Sequence, residues 1–439
     1  MDVSRQPNAF AAATRRVRNS LDVLGSRVGR LFGRGGRVTA AAATSEGLLD
    51  LAGALLSLRG KASGPSLAST FFDLYDATDK AARQVFLSQL HAKFGRDSAG
   101  IDRAIAAWQQ QRSEAAAALL NEATESPLHM LIRQLNLAPQ GTQRLIAMRE
   151  DLLGAGKTPG LQELDREFED VFESWFNAGF LELRRIGWDA PAAILERIIK
   201  YEAVHSISGW DDLRRRVEPA DRRCYGFFHP QMADDPLIFV EVALTDHLPS
   251  AIAEIIGEAR ETIDPHEARY AIFYSISNCQ EGLRGIPFGN FLIKQVVGVL
   301  KRELPQLDRF ATLSPVPGFA KWLAREHGNT EAPAADELHR EAARYLVEAR
   351  NAKGGVADPV ARFHLGNGAR LEAIHTGGDL SAKGLRESHG VMVNYLYDLD
   401  EIEANLLTLS ELDQVATSDQ VQDLLDPEPA NGKRKAKAA

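Results

Sequence analysis

Tyr270-Ala271-Ile272-Phe273-Tyr274-Ser275-Ile276-Ser277, then Gln280-Glu281-Gly282-Leu283-Arg284-Gly285-Ile286-Pro287-Phe288-Gly289-Asn290, then the run from Phe291 to Leu304 form the stretch whose reading settles the fold. The first segment is dense in branched and aromatic residues, which suit a pleated strand. The last carries apolar residues at helical spacing. Between them, three glycines let backbone N–H groups turn inward with no Cβ in the way. The helix that follows points its positive end at the same place. Such a loop can hold a pyrophosphate. The spacing is neither the Gly-Lys-Ser/Thr pattern of a P-loop nor the GxGxxG dinucleotide pattern. Glycines are also common wherever a strand turns sharply into a helix, so the loop alone does not decide between a ligand site and a structural turn.

Upstream of this stretch, Leu237-Ile238-Phe239-Val240-Glu241-Val242-Ala243-Leu244 reads as a second strand, bounded by Pro236 and Asp246. Cys224-Tyr225-Gly226-Phe227-Phe228 is a candidate third, and Pro249 opens an amphipathic segment carrying Ile252, Ile255 and Ile256. Before about residue 190 the texture is different. From Leu48 to Ile199 apolar residues recur at three- and four-residue spacing, as in Phe71-Phe72-Asp73-Leu74-Tyr75 and Val85-Phe86-Leu87-Ser88-Gln89-Leu90, with breaks at Pro127, Pro139 and Gly154-Ala155-Gly156. The expected organisation is a basic extension over residues 1–47, an all-α helical bundle over 48–190, an α/β domain over 191–412 and a polar tail over 413–439. Nothing in the helical part suggests chemistry of its own.

Composition narrows the function. Lys and Arg number 51 against 60 Asp and Glu, a net charge of -9, so the chain is not built to coat nucleic acid. An anion it binds must be caught by a local site. The two cysteines, Cys224 and Cys279, exclude a disulfide framework and a cysteine-rich zinc centre, and they are expected as buried packing residues. No run approaches the roughly 20 apolar residues of a membrane span. The start of the chain, with Arg15, Arg16, Arg18, Arg27, Arg30, Arg34 and Arg37 among Ala and Ser, fits either a mitochondrial transit segment or a disordered basic extension of a bacterial protein. The bacterial cytoplasm is the expected compartment and the mitochondrial matrix the alternative. The basic end, Lys433-Arg434-Lys435-Ala436-Lys437-Ala438-Ala439, is not a peroxisomal address.

Two segments carry candidate chemistry. Thr312-Leu313-Ser314-Pro315-Val316-Pro317-Gly318-Phe319 sets a serine before two stiffening prolines. Asp358-Pro359-Val360-Ala361-Arg362-Phe363-His364-Leu365-Gly366-Asn367-Gly368-Ala369 sets a histidine in a turn-rich setting. Neither is decisive by local pattern, since a Ser-Pro step is usually a loop and a histidine usually a packing or surface residue. The Gly-x-Ser-x-Gly elbow of hydrolases is absent, so a nucleophilic serine is not indicated.

These blocks, taken in order with Ser174-Trp175-Phe176, Gly179-Phe180-Leu181, Arg222-Arg223-Cys224-Tyr225 and Met392-Val393-Asn394-Tyr395-Leu396-Tyr397, resemble the malonyl-CoA decarboxylases over roughly residues 50 to 410. The glycine loop itself is similar to the loop with which acetyltransferase-like folds hold the pyrophosphate of coenzyme A. The resemblance implies an α+β two-domain fold, a helical bundle followed by an acetyltransferase-like catalytic domain. It implies an active site at Ser314, His364 and Tyr397, and a coenzyme loop made of Arg284, Gly285, Ile286, Pro287, Phe288, Gly289 and Asn290. One departure stands out: some relatives carry an acidic residue where this chain has Pro287, so no role of that carboxylate carries over. The implied reaction removes the free carboxylate of malonyl-CoA, leaving acetyl-CoA and CO2. The thioester is the electron sink, so neither a metal nor an organic cofactor is called for. His364, with an ordinary pKa near 6.5, would protonate the resulting enolate. Ser314 would orient the carboxylate, with Tyr397 as a third member. A homotetramer, built as a pair of dimers through the helical bundle, is also implied. Two rivals share the implied fold: an acyl-CoA N-acyltransferase, and a non-catalytic malonyl-CoA-binding regulatory protein.

Overall fold

A computed structural model describes residues 45–177, 179–287, 290–328 and 331–425, without the side chains of 58–62 and 290–291. The basic extension up to residue 44 and the end of the polar tail lie outside the described residues. The chain divides into two compact units, one holding the residues up to Phe180 with Pro230–Met232 and Gln280–Pro287, the other holding the rest.

The first unit is helical. Of the prolines expected as breaks, Pro139 lies in the turn between two helices and Pro127 begins the first turn of one, as Pro159 does of another. Ser126 caps Pro127–Leu135 by accepting from the His129 N–H, and Thr158 caps Pro159–Trp175 in the same way through Leu161. A proline in the first turn loses no intrahelical bond, because its N–H would have been unpaired there. Leu128, Leu131, Ile132 and Leu135 form the buried stripe of the first of these helices, and Leu164, Phe168, Val171 and Phe172 that of the second. Phe71, Phe72, Tyr75 and Phe86 pack ring against ring nearby in sequence order, with centroids 5.6 to 6.2 Å apart.

The second unit is built on a mixed sheet. Its strands are β1 (Glu182–Arg185), β2 (Arg222–Phe228), β3 (Ile238–Thr245), β4 (Tyr270–Asn278), β5 (Arg309–Thr312), β6 (Ser314–Pro315), β7 (Arg370–His375) and β8 (Met392–Tyr397). They run in the order β1-β2-β3-β4-β5-β8-β6, with β7 also paired to β8. Every pairing is antiparallel except β4 with β5, which the helix Asn290–Glu303 connects as a crossover. Helices Ala192–Tyr201 and Trp210–Val217 cover one part of the sheet, burying Ile194, Leu195, Ile198, Leu213 and Val217 with Cys224, Phe228 and Phe239. A second core joins Ile252 and Ile255 to Ile272, Ala311, Leu313, Met392 and Leu396. Both cysteines are buried and free. The order is the expected one, a helical bundle and then a mixed-sheet α/β domain.

Two boundaries differ from the sequence reading. Residues 182–185, read as the end of the helical part, form β1, antiparallel to β2 with Glu182 opposite Phe228. The Arg184 guanidinium lies over the Phe228 ring at 4.4 Å and donates to the Ala233 carbonyl, contacts with residues more than 40 positions away. Residues 413–425, read as tail, include the helix Asp419–Leu425, whose Val421 is fully buried, and Thr417, bridged to Leu371. Among the described residues, no helix is long and apolar enough to cross a membrane.

One carboxyl in the sheet is unusual. Glu241 on β3 is fully buried, with Arg216 Nη1 3.4 Å from one oxygen and no hydrogen bond to the other. Burial, helped by repulsion from Glu202, outweighs the Arg216 pairing and pushes its pKa from 4.5 up to about 8. Between those values the folded chain holds a proton that the unfolded chain has released, so this group's contribution to stability falls as pH rises. Its slope is at most about 1.4 kcal/mol per pH unit. Glu241→Gln is therefore expected to flatten the melting temperature profile between pH 5 and 8, read by scanning calorimetry. An unchanged slope would show that Glu241 is ionised in the fold.

Candidate active site

The serine and the histidine, 50 positions apart in sequence, are brought together by strand β8. Thr312 ends β5, and its hydroxyl accepts from the Tyr395 backbone N–H of β8 at 3.1 Å. Two residues on, Ser314 pairs with Val393 of β8, and its Oγ donates to Thr312 Oγ1 at 2.9 Å. Pro315 and Pro317 then restrict the chain that leads to Gly318.

His364 sits in the last turn of the short helix Pro359–Leu365. Asp358 fixes where that helix starts. One of its carboxylate oxygens accepts from the Val360 and Ala361 N–H groups, as an N-cap should. The other accepts from the Gly318 N–H and the Tyr345 hydroxyl, each at 3.3 Å. A single buried carboxylate thus ties the serine-bearing segment to the histidine-bearing helix. Gly318 must be glycine here, because a Cβ would overlap the Tyr345 hydroxyl.

Tyr395 and Tyr397, two apart on β8, present their rings to the same face. The Tyr395 ring stacks on the imidazole with centroids 4.8 Å apart and planes 22° apart. The Tyr397 hydroxyl is 2.8 Å from His364 Nδ1, and His364 Nε2 is 3.3 Å from Ser314 Oγ. Because Ser314 gives its proton to Thr312, the neutral ring carries hydrogen on Nε2 and accepts from Tyr397 at Nδ1. The result is a buried line, Tyr397–His364–Ser314–Thr312, with each side chain 5% exposed or less.

Burial alone drives the His364 pKa down, to about 3; no charged neighbour contributes. This replaces the expectation of an ordinary histidine near 6.5: in the free protein the ring is neutral at physiological pH. Burial likewise pushes the Tyr395 and Tyr397 phenols well above their usual value.

The glycine loop belongs to the helical unit. Arg284 and Gly285 are exposed, with Gly285 at a φ of 92°, where a side chain would be strained. Ile286 is buried and Pro287 exposed. Phe288 and Gly289 lie outside the described residues, and Asn290 opens the helix Asn290–Glu303. The sequence reading missed Thr312, Asp358, Tyr345 and Tyr395. Two of them carried a signal: Asp-Pro before a helix is a cap signature, and Tyr395 shares a strand face with Tyr397.

Comparison with known proteins adds to this geometry. Residues 179–341 and 328–435 match the family model for the malonyl-CoA decarboxylase C-terminal domain, and residues 94–176 match the N-terminal domain of the same family. The mitochondrial malonyl-CoA decarboxylase of Mus musculus is 32% identical over 431 residues, covering 84% of this chain and 87% of that protein. The protein of the same name from Anser anser anser is 35% identical over 355 residues, with 69% and 70% covered. Among solved structures, malonyl-CoA decarboxylase from Agrobacterium vitis superposes with a TM-score of 0.82 at 48% identity, covering 86% of this chain and 99% of the other. That from Cupriavidus metallidurans gives a TM-score of 0.68 at 36% identity, covering 87% and 99%.

The state of the imidazole is directly measurable. In nitrogen-15 NMR of the free protein, the His364 ring is expected to keep the shifts of a neutral Nε2–H imidazole from pH 8 down to about pH 4, given a pKa of about 3. A titration midpoint near 6.5 would mean that water reaches the ring.

Proposed function

Because the chain belongs to the malonyl-CoA decarboxylase family, we propose that Ser314, His364 and Tyr397 are the groups that carry out its conversion of malonyl-CoA to acetyl-CoA and CO2. The observation that carries this reading is the buried, uncharged line of hydrogen bonds through His364. The family assignment sets aside both the N-acyltransferase and the non-catalytic sensor.

The electron pair of the breaking C–C bond moves into the thioester carbonyl, giving CO2 and an enolate. A fixed cation beside the carboxylate would stabilise the substrate more than the transition state, in which that charge is leaving. The site avoids this by offering neutral donors. The malonyl carboxylate is then the only charge at His364, and its proximity raises the imidazole pKa. The proton taken up with the substrate goes to Nδ1, the ring nitrogen without a hydrogen, so Nε2–H is kept and Nδ1–H now donates to the Tyr397 oxygen, which can switch roles because a hydroxyl both donates and accepts. After CO2 departs, Nε2 delivers its proton to the enolate carbon and the ring is left neutral with its hydrogen on Nδ1, and a proton exchange that restores Nε2–H completes the cycle. One proton enters and one is consumed. Ser314 turns its hydroxyl from Thr312 to the carboxylate and orients it. The thioester of the coenzyme is anchored by its pyrophosphate on the loop of Arg284, Gly285, Ile286, Pro287, Phe288, Gly289 and Asn290.

In our reading the helical residues up to Phe180 are the oligomerisation domain and the sheet unit, from β1 to the helix Asp419–Leu425, is the catalytic domain, assembled as a homotetramer from two dimers in the bacterial cytoplasm. Support for self-association comes from the helices Ser98–Gln110 and Glu114–Thr124. Each buries only an alanine of its own, Ala104 and Ala116, while Ile105 and Leu119 are exposed. Apolar side chains left out on a helix pair mark a contact surface.

Purified protein incubated with malonyl-CoA should release CO2 and acetyl-CoA in equal amounts. His364→Ala should lower kcat by about 100-fold or more while leaving coenzyme affinity within a few-fold, since general acid catalysis contributes about 10²–10⁴. Turnover by His364→Ala at the parental rate would sink the assigned role. Light scattering should give a mass near four chains, and a monomeric mass at micromolar concentration would refute the tetramer.

A further inference from the structure

The helical unit contains one arginine whose surroundings are hard to explain by packing alone. Arg149, on the helix Gly141–Gly154, is fully buried. Its Nε donates to Asp165 at 2.8 Å and its Nη2 to Glu169 at 3.0 Å, both on the helix Pro159–Trp175. Its Nη1 donates to two backbone carbonyls of the glycine loop, Gly282 and Arg284, each at 3.0 Å. Burying a guanidinium is costly unless its donors are satisfied, and four bonds to two carboxylates and two carbonyls satisfy most of them. The two carboxylates more than offset its single charge, so it offers the loop geometry rather than attraction for an anion.

That geometry has a direction. In a trans peptide the C=O of one residue and the N–H of the next point opposite ways. With the Arg284 carbonyl held on Arg149, the Gly285 N–H faces away from the guanidinium. The neighbouring amides are committed within the turn: Leu283 N–H to Gln280, Arg284 N–H to Glu281 and Ile286 N–H to Leu283. Gly285 makes no such bond among the described residues, and its φ of 92° keeps the peptide clear of a Cβ. Gly282, packed so closely on the Ile146 carbonyl that a side chain would overlap it, holds the base of the loop down.

We infer that Arg149 is a positioning residue for coenzyme binding: through the Gly282 and Arg284 carbonyls it aims the Gly285 N–H at the pyrophosphate of the substrate. This rests on the reading of the loop as the coenzyme loop. Arg149 therefore has a part in substrate affinity without touching the substrate.

The test compares malonyl-CoA with malonyl-pantetheine, a thioester that lacks the pyrophosphate, in the parental protein and in Arg149→Lys and Arg149→Met. The parental protein should prefer malonyl-CoA by 100-fold or more in kcat/KM. Both variants should narrow that preference at least tenfold, through a higher KM for malonyl-CoA with kcat little changed, while malonyl-pantetheine turnover reports that the chain is folded. A parental protein that treats the two substrates alike would overturn the coenzyme-loop reading itself. If the parental preference is large and either variant loses activity on both substrates equally, or keeps the preference intact, Arg149 is a structural residue and the inference fails. Arg149→Lys, which keeps the charge but not the fork, serves where Arg149→Met does not fold.

Discussion

The structure of the site depends on keeping water away from one imidazole. His364 has a tyrosine ring against its face, a phenol on one nitrogen and a serine on the other. All of these contacts are delivered by strand β8 or by segments paired to it. β8 is bonded to β5, β6 and β7, so it is a fully internal strand with little freedom to shift. Where β8 goes, Tyr395 and Tyr397 go together. The resulting low polarity makes the histidine a weak base.

The link between the two segments that carry Ser314 and His364 is as economical. Asp358 both caps the His364 helix and holds the Gly318 amide four residues after Ser314. Its own burial raises its pKa, opposed by the amide and hydroxyl donors that surround it. No part of that balance is visible at the reacting atoms, yet the spacing of Ser314 from His364 follows from it.

Much of this was legible before any coordinates. The glycine loop between a strand and a helix, the Ser-Pro segment and the histidine following Asp-Pro are local patterns, and local patterns survive in sequence. The helical stripes were likewise readable from their spacing. What escaped depended on distance in the chain. Arg149 meets carbonyls 133 and 135 positions away; nothing near it in sequence distinguishes it from an arginine in a solvated face. β1 does not stand out in sequence because four residues are too few to establish a two-residue period against the helical texture before them. The His364 pKa is likewise invisible locally, since much of its desolvation comes from Ser314, Tyr395 and Tyr397, more than 30 positions away.

In the mechanism proposed above, an anion site without a cation has a consequence for what leaves it. A pocket that held the malonyl carboxylate with a lysine or arginine would be left, after CO2 departs, with an uncompensated buried charge, and would favour another anion as its next occupant. In the proposed mechanism the charge that raises the imidazole pKa disappears with the reaction, and the acetyl thioester group left behind is neutral. The ring's affinity for a proton falls at the moment of product formation. In that mechanism only a proton exchange on the ring separates the product state from the starting one, and a free carboxylate would meet no counter-ion among Ser314, His364 and Tyr397 to hold it there.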